Sequence, residues 1–77
     1  MKTHIQIKLF ADLSAYTPPS ADKFPIESGT TVRRLLDDIQ VSAEKVRLVF
    51  INNIKRDLDT TLRGGERVGL FPPIGGG

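Results

Sequence analysis

Gly29-Thr30-Thr31-Val32-Arg33-Arg34-Leu35-Leu36-Asp37-Asp38-Ile39 (residues 29–39) decides how the rest of this 77-residue chain has to be arranged. Val32, Leu35, Leu36 and Ile39 recur at i, i+3, i+4 and i+7, which puts them in one apolar stripe on a helix of about ten residues. Thr30 or Thr31 is the N-cap candidate, with a hydroxyl free to accept an early helix N–H. Arg33/Asp37 and Arg34/Asp38 are i,i+4 pairs worth roughly 0.2–0.5 kcal/mol each, but with the cation first they oppose the helix dipole. The stripe, not the surface charge, therefore holds this helix, and it needs an apolar surface to cover. Arg33 and Arg34 read as a solvated face, with a contact surface for an acidic partner as the alternative.

Outside the helix the period changes to two. Ile5, Ile7 and Leu9 alternate with His4, Gln6 and Lys8, the pattern of a strand with one buried face. Ala11 to Tyr16 reads as a short helical turn and Pro18-Pro19-Ser20 as a loop. Phe24 and Ile26 alternate with Lys23 and Glu27 in a second strand, which Pro25 confines to a sheet edge or to a solvent-facing position. After the helix, Ser42 to Val46 reads as a turn or 3₁₀ segment. Leu48-Val49-Phe50-Ile51 is a continuous apolar run, the pattern of a strand covered on both faces. Asn52-Asn53 tolerates positive φ and marks a turn into a short return strand, Ile54 to Asp57. Leu62 to Glu66 is another turn, and Arg67 to Phe71 is the last strand, with Val68 and Leu70 on one face and Gly69 and Phe71 on the other.

The first two strands are expected to pair as a hairpin, and the helix to cover one face of a mixed sheet by packing on Ile5, Ile7, Val68 and Leu70. If the first and last strands pair in parallel at the centre, the result is an α+β fold, the β-grasp or ubiquitin-like roll, with four to five strands and one main helix. Residues 1–71 form the domain and residues 72–77 a free extended tail.

That tail, Phe71-Pro72-Pro73-Ile74-Gly75-Gly76-Gly77, carries the functional signal. At average composition, three glycines in a row at the end arise by chance in roughly one chain in 3,000. Pro72 and Pro73 fix φ and remove two backbone donors, so the strand ends there and the chain leaves the sheet extended. Beyond Ile74 there are no side chains, and the four residues from Ile74 to Gly77 reach at most about 14 Å. A thin thread tipped by a carboxylate suits insertion into another protein's active site. Gly77 is the covalent site, Gly75 and Gly76 are the threading residues, and Ile74 is an apolar anchor at the channel mouth. Phe71, by its parity, reads as facing the open side of the sheet, where an aromatic beside the tail can anchor a partner, with packing into the core as the alternative.

Composition excludes several other classes. A net charge of +2, with basic runs no longer than two, does not point to nucleic acid. The absence of cysteine removes disulfides, thiolate metal sites and a cysteine nucleophile. Met1-Lys2-Thr3-His4 alternates too early for a signal peptide and no apolar run approaches a membrane span, so a cytoplasmic location is the expectation. The single histidine, His4, sits at a polar strand position. Asp37, Asp38, Asp57 and Asp59 do not form a metal-ligand set, and no metal is expected. Leu9, Phe10 and Phe50 read as core.

Nearly the whole chain resembles the MoaD/ThiS sulfur carriers. The resemblance rests on Gly29-Thr30-Thr31-Val32 opening the helix, on Leu62 with Gly65-Glu66 before the last strand, and above all on Phe71-Pro72-Pro73-Ile74 leading into Gly76-Gly77. The proline pair is closer to the molybdopterin synthase small subunit than to the thiazole carrier, and archaeal ubiquitin-like modifiers share such an ending. The chain departs from the family pattern at Gly64 and Arg67, where acidic residues are common, and at Gly75, often alanine or threonine.

The resemblance implies a carrier rather than an enzyme. An E1-like adenylating enzyme would spend ATP on the Gly77 carboxyl, and a sulfur donor would displace AMP to leave a thiocarboxylate. A large synthase subunit would receive the sulfur, and the chain itself would bind no cofactor. Alternatives are a modifier conjugated through Gly77, a carrier for thiamine thiazole synthesis, and a non-covalent β-grasp interaction module.

Overall fold

The computed structural model describes residues 1–73. The N-terminal alternation forms strand β1, Lys2–Leu9, with Ile5, Ile7 and Leu9 buried and His4, Gln6 and Lys8 exposed. A 3₁₀ segment, Ala11–Tyr16, follows and buries Leu13. Strand β2, Phe24–Glu27, runs antiparallel to β1 with Ile5 opposite Phe24 and Lys2 opposite Glu27. Pro25 is exposed on this outer strand, where its missing N–H breaks no ladder.

Helix α1, Val32–Asp38, buries the whole expected stripe, Ile39 included. Its first turn leaves no orphan donor. Val32 N–H reaches Thr60 O at 3.0 Å, Arg33 N–H reaches Leu58 O at 2.8 Å, and Arg34 N–H reaches the Thr31 hydroxyl at 3.2 Å. The helix has seven residues, fewer than the apolar period suggests. Gln40 takes a left-handed φ of 61°. Its N–H then bonds Asp37 O at 3.1 Å, and Val41 N–H bonds Leu36 O at 2.9 Å. This is the Schellman stop, completed by burial of Val41 and Leu36. With glutamine in place of the usual glycine, nothing in the local sequence announces it.

The expected surface pairs are half realised. Arg34 and Asp38 meet at 3.6 Å, whereas Arg33 Nε donates to Asp59 Oδ1 at 3.1 Å instead of pairing with Asp37. The loop that caps the helix start brings Asp59 to Arg33. Asp57 shapes that loop by accepting Asp59 N–H at 2.9 Å.

Strands β3, Leu48–Ile51, and β4, Ile54–Arg56, form a hairpin over Asn52 and Asn53, whose φ values of 53° and 69° match the twist of a two-residue turn. Strand β5 is Arg67–Phe71. The sheet order is β2-β1-β5-β3-β4. Strands β1 and β5 pair in parallel at its centre, with Ile7 opposite Val68 and Leu9 opposite Leu70, and β3 lies antiparallel to β5. The α+β, β-grasp architecture follows directly. Ile5, Ile7, Val68 and Leu70 join the helix stripe in one core, to which Leu13, Val41 and Leu62 also belong. The run Leu48–Ile51 is not covered on both faces. Val49 and Ile51 are buried, but Leu48 and Phe50 are half-buried because helix α1 lies on the other side. Among the described residues no helix is long and apolar enough to cross a membrane.

The turn before β5 is built on two glycines with left-handed φ, Gly64 at 128° and Gly65 at 84°. A Cβ on Gly64 would collide with Thr3, whose Cγ2 and Cβ would lie at 2.8 and 2.9 Å. The Glu66 carboxylate closes the turn by accepting N–H from Arg63 at 2.8 Å and Gly64 at 2.7 Å. Partial burial opposes its charge, yet these backbone donors, its own N–H and the Arg63 guanidinium together hold its pKa below the usual carboxylate range.

Two outcomes follow. Gln40→Gly relieves the left-handed strain and raises stability by about 0.5–1 kcal/mol, read as a higher urea midpoint at unchanged m-value. Because the folded-state pKa of Glu66 is depressed, its contribution is complete above the unfolded carboxylate pKa and is lost as pH falls through the folded value. The stability gap between wild type and Glu66→Gln therefore closes on acidification below about pH 4. A gap independent of pH would show that the ionised carboxylate is not what stabilises the turn.

Candidate functional site

The end of β5 is tied down on both sides. On the β1 side Phe10 N–H donates to Leu70 O at 3.1 Å, and on the β3 side Arg47 N–H donates to Phe71 O at 2.7 Å. The strand ends at Phe71, as the prolines require. Pro72 is half-buried and Pro73 exposed. Beside them runs a groove lined by Asp12, Glu44, Val46, Arg47 and Leu48. The backbone therefore leaves the sheet from a fixed point. Ile74, Gly75, Gly76 and Gly77 lie outside the described residues.

Phe71 points to the open face of the sheet, on the side its parity indicates, but it is not alone there. Its ring stacks on Phe10 with centroids 4.1 Å apart and planes 3° from parallel, and it meets Phe50 edge-on at 5.5 Å. Gly69, opposite both Lys8 and Phe50, forms the floor of this cluster. A Cβ there would lie in ordinary contact with the Phe10 and Phe71 rings, at 3.5 and 3.8 Å, so the three aromatics close directly over this position. Phe10 and Phe50 are thus half-buried members of the open face and not core residues, whereas Leu9 is core as expected. The signal for Phe50 was its parity, opposite to Val49 and Ile51. The signal for Phe10 was its place one residue past the buried alternation. Lys8, Arg67, Gln6 and Asn53 rim the concavity around the rings, which encloses about 520 Å³.

An apolar centre with a polar rim thus lies beside the point where the chain leaves the sheet. Single-layer sheets of this topology with one covering helix define the ubiquitin-like class. Within it, the sequence profile of the ThiS family matches residues 7–77. The chain belongs to the ThiS family, in the MoaD/ThiS group of ubiquitin-like sulfur carriers. Proteins of this family are small carriers rather than catalysts and work with activating enzymes and large synthase subunits.

Solved structures agree on the fold. A Pyrococcus furiosus protein named for molybdopterin converting factor, subunit 1, is 25% identical, with a TM-score of 0.65 over 94% of this chain and 99% of that one. The HVO 2177 protein of Haloferax volcanii is 18% identical, with a TM-score of 0.73 over 99% of this chain and 88% of its own. The small archaeal modifier protein 1 of Haloferax volcanii is 22% identical, with a TM-score of 0.65 over 94% and 99%. No curated protein sequence matches the chain.

Phe10→Ala removes the stack and part of the ring's burial, and is expected to cost about 1–2 kcal/mol, less than a core Phe→Ala because the ring is half exposed. Chemical denaturation of Phe10→Ala, Phe71→Ala and the double variant measures the coupling. An additive pair would mean that the two rings do not support each other.

Proposed function

We propose that this chain is a sulfur carrier in which domain 1–71 presents tail 72–77, and that it serves as the small subunit of a molybdopterin-type synthase in the cytoplasm. The observation that carries this reading is the family match running through Gly77, on a chain whose tail base is pinned by Phe10 and Arg47. A carboxylate is a poor electrophile, so an activating enzyme must first join Gly77 to AMP at the expense of ATP, releasing pyrophosphate. With hydrosulfide as the simplest donor, sulfur attacks the acyl carbon and AMP leaves with the bonding electrons. The product is a thiocarboxylate, a better nucleophile than the carboxylate it replaces. The chain binds no cofactor itself and returns to be recharged once the sulfur has passed to an acceptor held by the large subunit.

Each tail residue has a physical reason in this scheme. Gly75, Gly76 and Gly77 pass a channel too narrow for a Cβ. Ile74 seats at the channel mouth. Ordering the tail costs about 1–2 kcal/mol per residue, and Pro72 and Pro73 lower that cost by restricting the free state. Phe71, with Phe10 and Phe50 behind it, supplies the apolar centre of the docking face.

Intact mass spectrometry after incubation with the activating enzyme, ATP and a sulfide source is expected to show a gain of about 16 Da, the exchange of oxygen for sulfur at the covalent site. One residue added after Gly77 abolishes that gain while leaving the melting temperature unchanged. Conjugates on lysines without the mass gain would replace this reading with the modifier. An unaltered mass, with partner binding that survives deletion of Gly76 and Gly77, would leave only a non-covalent module.

A further inference from the structure

Arg47 lies immediately before β3 and is exposed, and its backbone N–H is held on Phe71 O at 2.7 Å. The root of its side chain is therefore fixed at the point where the chain leaves the sheet. Arg47 lines the groove that holds Pro72 and Pro73, and it also lines a second concavity with Arg33, Lys55, Arg56, Asp57 and Asp59. The acids of that second concavity are engaged. Asp59 pairs with Arg33 at 3.1 Å, and Asp57 Oδ1 accepts Asp59 N–H and the Thr60 hydroxyl. Arg47, Lys55 and Arg56 have no ion-pair partner among the described residues, whereas both helix arginines do. A cationic strip therefore begins at the hinge of the tail and continues along the β3–β4 hairpin.

We propose that Arg47, with Arg56 and Lys55 beyond it, selects the activating enzyme that takes the tail, by reading carboxylates beside the mouth of that enzyme's channel. The inference rests on the carrier reading above. A partner that swallows the tail must bring its channel rim against the hinge, and Arg47 is the cation anchored there. Asp12 and Glu44 line the same groove. The partner thus meets a frame of mixed sign, and opposite charges facing one another set how the domain is seated. Rim charges of this kind act on encounter rate and partner choice, and they weaken with salt. Because the guanidinium has no ion-pair or hydrogen-bond partner among the described residues, a substitution there is expected to leave the fold intact.

The test is pyrophosphate exchange by the purified activating enzyme of the same organism, measured against carrier concentration at low and at physiological salt. The carriers are wild type, Arg47→Glu, Arg47→Lys and Lys2→Glu. Lys2, at the opposite end of β1, gives the same change in net charge far from the tail. Arg47→Glu is expected to raise KM about tenfold at low salt with kcat unchanged, and the difference narrows as salt rises. Arg47→Lys and Lys2→Glu stay near wild type. An unchanged KM for Arg47→Glu, an equal rise for Lys2→Glu, or a loss confined to kcat would each overturn the inference while the carrier reading stands. Absence of exchange with wild type would bring down both.

Discussion

The parallel pairing of β1 with β5 is the constraint on which the rest of the structure depends. It brings residues far apart in sequence side by side at the centre of the sheet, with Ile7 opposite Val68 and Leu9 opposite Leu70. Parallel neighbours cannot be joined by a tight turn, so the chain between them must leave the sheet and return. Helix α1 makes the crossover from β2 to β3, and its stripe joins the buried residues of the central strands β1 and β5 in one core. The two edges are then left to β2 and β4, whose proline and charged residues suit exposed positions. Because β5 lies between β1 and β3, the segment after Phe71 starts from a strand paired on both sides.

That starting point gives the site its character. A tail hanging from a frayed strand would sweep a wide volume. Here bonds from Phe10 and Arg47 hold the final two residues of β5, and the Phe10–Phe71 stack restrains the last side chain. The proline pair then permits few directions of exit. The ring that restrains the end of β5 also forms part of the apolar surface beside it. The end of β5 and the apolar surface beside it are thus built from one cluster over a glycine floor. The uncovered face of the sheet is what makes this possible, since a second layer would have buried Phe50 and Phe71.

Much of this was legible in the chain itself. Alternation in β1, the stripe of α1, the Asn52-Asn53 turn and the proline stop after Phe71 are local patterns, each set by side-chain period or backbone restriction, and each is realised where the pattern places it. The end of the helix was not legible, because Gln40 adopts a backbone conformation that glycine usually signals. Nor was the partner of Arg33, since Asp59 arrives from a loop that folds over the helix start. Phe10 and Phe50 were misplaced for the same reason. An apolar residue is expected inside until the layer that would cover it is known to be missing.

The sequence by itself determined the elements, the buried parity of β1 and β5 and a glycine run after a proline pair, because these follow from periodicity and from the fixed chemistry of proline and glycine. Only the tertiary structure decided that three phenylalanines meet on the open face, that Arg47 stands at the tail's hinge and that Glu66 locks a turn against Thr3. Those are meetings between residues distant along the chain, and no local period encodes which of them the sheet order will bring together.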